Sequence, residues 1–191
     1  MKNKIFTLGL AFILATGALV GCTNSGNSNS TPSQNESTDS KEVESGLASE
    51  FHEAIKEAYG ENYLPSMELD ETSFAEKFNV TMDNVKEFIA EVPMIGAHVD
   101  TLVIIEANEG KVDEVESELN KYREALISDT MQYPMNLAKI NSSQVYKLGN
   151  YVFFVMLGAI DEVNEDEKEQ LEFAQAETQK AIDAINDVAN K

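Results

Sequence analysis

The chain has 191 residues, the length of one domain with appendages. Its 34 Asp and Glu residues outnumber its 14 Lys and Arg residues, which gives a formal net charge of −20. A surface of that charge repels phosphate backbones and anionic lipid head groups, so no nucleic-acid partner is predicted. The chain has one cysteine, which excludes an internal disulfide framework.

Residues 1–21 have the features of a secretory signal peptide. Lys2 and Lys4 supply positive charge, and an almost uninterrupted apolar run covers residues 5–20. This run is too short for a membrane-spanning helix, which needs about 20 apolar residues. We expect the signal to be removed, which leaves 12 basic against 34 acidic residues, a charge of −22.

The signal ends in Leu19-Val20-Gly21-Cys22, where small residues lead directly into the cysteine. This stretch resembles the lipobox of bacterial lipoproteins. The resemblance implies cleavage between Gly21 and Cys22 and a diacylglyceryl group on the Cys22 thiol. Two acyl chains give stable anchoring. The alternative, an unmodified buried cysteine, is disfavoured because the Ser- and Asn-rich run that follows cannot pack around it. The protein is therefore expected on the extracytoplasmic face of the cell membrane, held by its lipid.

Residues 22–46 are predicted to be the lipidated cysteine and a flexible tether. Residues 23–41 contain no apolar side chain to bury. A chain of that length has a mean reach of about 25 Å. An α+β domain is predicted to follow over residues 47–160.

The domain begins with three predicted helices. The first has an apolar stripe that ends at Gly60, with His52 at its boundary; the stripe consists of Leu47, Phe51, Ile55 and Ala58. Asp70 is the predicted N-cap of the second helix, which buries Phe74 and Phe78. Thr81 is the predicted N-cap of the third helix, in which Val85, Phe88 and Ile89 face the core. This helix is predicted to end at Val92-Pro93.

A sheet is predicted from three β-rich segments. Residues 99–107 are apolar on both faces in their middle, and residues 144–148 and 151–157 flank Gly149-Asn150, a typical hairpin turn. The second hairpin strand is apolar on both faces, which places it in the centre. Between the first strand and the hairpin lie a helix and a loop at Tyr133-Pro134; the helix has the stripe Val112, Val115, Leu119, Tyr122 and Leu126. The fold class is therefore α+β, a split β-α-β unit plus a hairpin in a three-stranded antiparallel sheet.

Residues 161–191 are predicted to form a long acidic C-terminal helix. Asn164 and Glu167 have capping-box spacing at its start. Its stripe is thin and rich in alanine: Leu171, Ala174, Ile182, Ile185 and Ala189. Amphipathicity favours docking on its own domain over waiting for a partner or a second copy.

The region from Leu47 to Leu157 resembles the lipoproteins of the domain of unknown function 4358 family, which are found mainly in Gram-positive bacteria. The residues that carry the likeness are the strand at 101–107, the helix at 112–127, Tyr133-Pro134 and the hairpin at 145–155. The resemblance implies a lipoprotein class and an envelope compartment. It supplies no catalytic residue.

Few side chains in this sequence are suited to catalysis or metal binding. His52 and His98 are the only histidines, and His98 and Asp100 are predicted on one strand face, where an imidazole and a carboxylate can meet. A histidine satisfied by a neighbouring carboxylate is the favoured interpretation. Two acidic runs, at 161–162 and 165–167, suggest a Ca²⁺ site, but they lack the spacing of a calcium loop, and diffuse cation screening is favoured. No catalytic residue, metal site or cofactor is predicted.

The sequence therefore predicts a membrane-anchored lipoprotein that is a non-catalytic interaction module. Its partner is expected to be an envelope component or another exported protein, bound at the sheet surface or at the apolar side of the C-terminal helix. The alternative is a ligand- or cation-binding lipoprotein. A hydrolase without a recognisable motif is the third hypothesis.

Overall fold

The structure, a computed structural model, describes residues 43–191. Cys22, the predicted signal peptide and most of the predicted tether lie outside the described residues. The described chain forms an α+β fold with five α-helices and five strands: α1 (Ala48–Tyr59), β1 (Met67–Glu68), α2 (Glu71–Phe78), β2 (Val85–Val92), β3 (Thr101–Ala107), α3 (Val112–Ser128), α4 (Leu137–Ser142), β4 (Gln144–Leu148), β5 (Tyr151–Met156) and α5 (Glu167–Ala189).

The strands form one antiparallel sheet in the order β1-β2-β3-β5-β4. The predicted hairpin is confirmed, because Leu148 lies opposite Tyr151 and Tyr146 lies opposite Phe153. Gly149 in its turn has φ +58, a backbone conformation that favours glycine. β5 lies between β4 and β3, as its apolar residues on both faces predict, and all six of its residues are buried.

The prediction of a three-stranded sheet is wrong, because most of the predicted third helix is strand β2. Only residues 82–84 form a 3₁₀ turn, and the strand begins at Val85. β3 is buried along its whole length, so it needs a strand on each edge, and β2 supplies the second one. Phe88 lies opposite Ile105, and its ring stacks on Phe74 with centroids 4.3 Å apart. The two-residue β1 then extends the sheet beyond β2.

Thr81 does not act as the predicted helix cap. Its backbone N–H and its hydroxyl donate to the Glu118 carboxylate of α3, at 3.2 and 2.6 Å. Two other predicted helix boundaries are confirmed: the Asp70 carboxylate accepts from the Ser73 N–H at 2.8 Å and caps α2, and Gly60 follows α1 with a positive φ. In α1, however, Tyr59 is buried where Ala58 was expected to be.

Helices cover both faces of the sheet. One face packs against α1 and α5 through a core cluster that includes Phe51, Ile55, Leu102, Phe153, Ile182 and Ile185. The opposite face packs against α2, α3 and α4 through a cluster that includes Phe74, Phe78, Val103, Leu119, Ile140 and Phe154. Neither the sheet surface nor the apolar side of α5 is therefore free to bind a partner, contrary to the sequence-based expectation.

The C-terminal helix is confirmed, with a different start. Asp166 caps α5, because its carboxylate accepts from the N–H groups of Lys168 and Glu169 at 2.9 and 3.1 Å. Asn164, the predicted cap, instead donates to the Asp161 carboxylate. The buried apolar residues of α5 are Ala174, Ala181, Ile182, Ile185 and Val188, so the helix docks on its own domain.

Gly158, between β5 and α5, is expected to tolerate no side chain. Its φ is +113, and an added Cβ would lie 2.6 Å from the Cβ of Glu177 on α5. We expect Gly158→Ala to lower the free energy of unfolding by about 2–4 kcal/mol, because backbone strain and overlap with the helix both oppose folding. Urea denaturation measures this loss.

Gly110→Ala is the matched control for that substitution. Gly110 has φ +72, but nothing lies within 4 Å of its added Cβ. Only the strain of a left-handed residue remains, about 1–2 kcal/mol. Equal losses in the two variants would contradict a steric contact between Gly158 and Glu177.

Candidate functional site

Three loops meet at one end of the sheet, which we call the loop end. The register sets this end, because Thr101, the first residue of β3, pairs with Met156, the last residue of β5. The amide nitrogen of Asn136 donates to the carbonyl oxygen of Ala97 at 3.0 Å and so joins two of the loops. The three loops comprise residues 93–100, 129–136 and 157–166.

A buried ion pair lies beneath these loops. The Lys139 ammonium on α4 donates to both carboxylate oxygens of Asp100, at 2.7 and 2.8 Å, and the two side chains are 3% and 0% exposed. Nearby on α4, the Ser142 hydroxyl lies 3.2 Å from the Thr178 hydroxyl of α5. Both side chains are buried away from bulk solvent, so each ion depends on its partner. The pair fixes α4 against the beginning of β3.

A cavity of about 290 Å³ opens above the ion pair, between α4 and the loop at residues 157–166. Lys139 and Ala138 line it from one side, and Asp161, Glu162 and Asn164 from the other. A second cavity of about 390 Å³ adjoins it and shares the walls Ala138 and Gln170. The two cavities together form a groove between α4 and the first turns of α5, which we call the α4–α5 groove.

Exposed apolar side chains lie on the three loops of the loop end and at the start of α4, and we call them the apolar rim. Two of them, Met135 and Leu137, also line the groove. The most exposed are Met131, Val163 and Met94, at 88%, 87% and 76%. The complete set is Met94, Ile95, Met131, Tyr133, Met135, Leu137 and Val163. Isolated exposed apolar residues are common, but a set gathered at one end of a domain marks an interaction surface.

The described chain begins at the opposite end of the sheet, which we call the entry end. There the buried Glu106 carboxylate accepts from the Ser45 hydroxyl at 2.7 Å and from the Gly46 N–H at 2.9 Å. It also accepts from Lys86 and Tyr151. Burial alone would raise the pKa of Glu106, but these hydrogen bonds lower it to about 2. The carboxylate stays charged and ties residues 45–46 to the sheet.

His52 lies beside the apolar stripe of α1, half-buried as predicted, in a small polar cluster. Its Nε2 is 3.0 Å from the Glu91 carboxylate, which also accepts from the Tyr63 hydroxyl at 2.6 Å. Burial and the hydrogen bond to Glu91 raise the pKa of the Tyr63 hydroxyl far above its usual range. The three groups satisfy one another, and none of them lines the groove.

His98 and Asp100 do not form the anticipated pair. β3 begins at Thr101, so both residues lie in the preceding loop, and Asp100 is bound to Lys139. The His98 Nδ1 atom is buried, and no hydrogen-bond partner is present among the described residues. The favoured interpretation, a histidine satisfied by a nearby carboxylate, is therefore wrong for His98.

The acidic runs before α5 are used locally. The Asp161 carboxylate accepts from the side-chain amide of Asn164 and from the N–H groups of Asn164 and Val163, and these hydrogen bonds lower the pKa of Asp161. Asp166 caps α5. Within residues 43–191, no group of three or more His, Cys, Asp or Glu side chains is arranged to hold a metal ion. No helix in that same range is long and apolar enough to cross a bilayer.

Sequence reasoning missed Lys139 and the exposed methionines. α4 follows closely after Tyr133-Pro134 and is only six residues long, too short for helical periodicity to stand out. The sequence does contain one indication of the exposed methionines. Met94-Ile95 and Met135 directly follow prolines, and an apolar side chain in a turn is often left outside the core.

A comparison with protein-family models matches residues 58–157 to a domain of unknown function (DUF4358). The matched residues contain all five strands and α2, α3 and α4. They exclude most of α1 and all of α5. No curated protein and no solved structure matches the chain.

Proposed function

Because the chain belongs to the DUF4358 family, whose description states no activity, we propose a function from its own residues: a membrane-anchored, extracytoplasmic lipoprotein that acts as a non-catalytic interaction module. Its partner is another exported protein or a protein of the cell envelope. The apolar rim at the loop end is the observation that carries this proposal.

The arrangement of the two ends supports the proposal. The chain enters the described domain at the entry end, where Glu106 holds Ser45 and Gly46. The apolar rim lies at the opposite end of the sheet. Residues 45–46 and the rim therefore lie at opposite ends of the sheet, so residues 45–46 do not cover the rim.

Replacing Cys22 with alanine is expected to release the protein from membranes. The lipid on Cys22 supplies two acyl chains, and each buried CH₂ contributes about 0.8 kcal/mol to anchoring. Cell fractionation with immunoblotting measures the distribution, and Cys22→Ala protein should leave the membrane fraction. Retention there, with processing at the same site, would show that the anchor is not this lipid.

A photoreactive amino acid at Met131 tests the interaction itself in living cells. Met131 is 88% exposed in the apolar rim, and we expect one discrete adduct with a second protein. Glu109, an exposed residue in the turn before α3 at the entry end, is the control position. The adduct should form from Met131, not from Glu109, and should be lost in the Cys22→Ala background. Equal adducts from both positions, or none, would contradict the proposal.

The α4–α5 groove favours a second candidate, a ligand-binding lipoprotein. Its cavity of about 290 Å³ has the size of a small-molecule site, with Lys139 in its wall. A ligand that binds only the folded state raises the melting temperature. A thermal shift with a small envelope molecule, together with no adduct from Met131, would favour this candidate over the interaction module.

A further inference from the structure

We propose that the apolar rim and the α4–α5 groove bind a cationic amphipathic helix of a partner protein. This inference rests on the proposed function, because it names the chemistry of the partner at the same surface.

The groove consists of two adjoining cavities, so it offers room for several side chains of one segment. Its two cavities, of about 290 and 390 Å³, adjoin at Ala138 and Gln170. The larger apolar residues that line them include Met135, Leu137, Ile160 and Leu171. Side chains at i, i+3, i+4 and i+7 of a helix form a stripe that such a groove can take.

The apolar rim is suited to a helix whose exact side chains vary. Three of its members are methionines, Met94, Met131 and Met135, at 76%, 88% and 53% exposure. Methionine is unbranched and polarizable, so it adapts to differently shaped apolar partners. Burying these side chains against a helix removes apolar surface from water, which supplies the main favourable term for binding.

The charge of the groove selects a cationic partner. Four carboxylates line it: Asp161, Glu162, Glu165 and Glu167. Among the described residues of its lining, Lys139 is the one basic side chain, and Asp100 neutralises it. The three loops of the loop end contain no Lys or Arg at all. Lys and Arg beside the apolar stripe of a helix would complement these carboxylates.

The negative charge of the groove disfavours a second copy of this chain, an anionic lipid surface and a helix without basic side chains. A second copy of this chain would bring the same carboxylates and a net charge of −20 against the groove. Anionic lipid head groups would be repelled in the same way. An acidic or purely apolar helix would leave the carboxylates without a partner. These occupants are therefore the alternatives that a binding experiment must separate.

A synthetic peptide of about 18 residues, with leucine on one stripe and lysine elsewhere, is the probe. Fluorescence anisotropy with the full-length protein measures its affinity, and we expect binding that weakens as salt is added. The variant Glu162→Lys/Glu165→Lys should bind the peptide roughly tenfold more weakly, because two exposed carboxylates of the groove are reversed. The same peptide with glutamate in place of lysine should not bind.

The matched control is Glu57→Lys/Glu109→Lys. Both residues are exposed, one on α1 and one in the turn before α3, and the variant has the same net charge as the groove variant. Its affinity should stay within roughly twofold of the parent, if the groove and not the overall charge attracts the peptide. Equal losses in both variants, binding of the glutamate peptide, or self-association through the rim would overturn the inference.

This experiment separates the partner class from the proposed function. An adduct from Met131 in cells without binding of the lysine peptide would overturn the cationic helix and leave the interaction module in place. Binding of the lysine peptide at the groove without any adduct in cells would support the inference and contradict the proposed cellular function.

Discussion

Removal of residues 165–191 is expected to abolish the cooperative unfolding transition, because α5 closes one face of the sheet. Ile182, Ile185 and Val188 are buried there, and burial of each such side chain contributes about 1.5–3 kcal/mol. Their sum is comparable to the total stability of a domain, about 5–15 kcal/mol. Near-ultraviolet circular dichroism and thermal denaturation of the truncated protein measure the outcome.

Glu172→Ala is the control for the truncation, because Glu172 lies on the exposed side of the same helix. It should change the free energy of unfolding by less than about 0.5 kcal/mol. A truncated protein that keeps its melting transition but loses the adduct from Met131 would show that α5 serves the partner and not the core. The buried residues of α5 predict the opposite result.

Lys139→Ala is expected to lower the free energy of unfolding by about 3–5 kcal/mol, because it leaves the Asp100 carboxylate buried without a partner. Asp100 is 0% exposed, and both of its carboxylate oxygens accept from Lys139. Loss of that pair also frees α4 from the beginning of β3. Urea denaturation measures the change.

Two further variants test whether the loss of stability in Lys139→Ala comes from a charge left buried without a partner. In Lys139→Met/Asp100→Leu both ions are replaced by apolar side chains, and we expect a stability near or above that of the parent. Lys111→Ala removes the exposed ion pair with Glu114, in which the two side chains are 44% and 48% exposed, and should change the stability by about 1 kcal/mol or less. A Lys139→Ala loss as small as that of Lys111→Ala would contradict a buried pair.

The parts of the fold that were predictable are those that local chemistry decides. Gly149-Asn150 determined the hairpin and its register, and Asp70 determined the start of α2. β2 was not predictable from its own residues, because Val85, Phe88 and Ile89 fit the spacing of a helix. Its conformation depends on pairing with β3, which is a tertiary contact.

The candidate site was less predictable than the fold. Lys139 and Asp100 are 39 residues apart, and nothing in the sequence around either one indicates that they meet. The spacing of His98 and Asp100 suggested a pair on one face of a strand. The strand begins only at Thr101, so both residues lie in the loop before it. The apolar rim depends on three loops that only the register of the sheet brings to one end.

The protein can complete its fold only after α5 has been synthesised. The first and the last helix of the described domain, α1 and α5, close the same face of the sheet. While the chain is being synthesised, Leu102 and Phe153 on that face are not covered by α5 until this helix has left the ribosome. Contacts between residues so distant in the chain form slowly. For a chain that we propose is exported, late folding would keep the newly made protein extended enough to be threaded across a membrane.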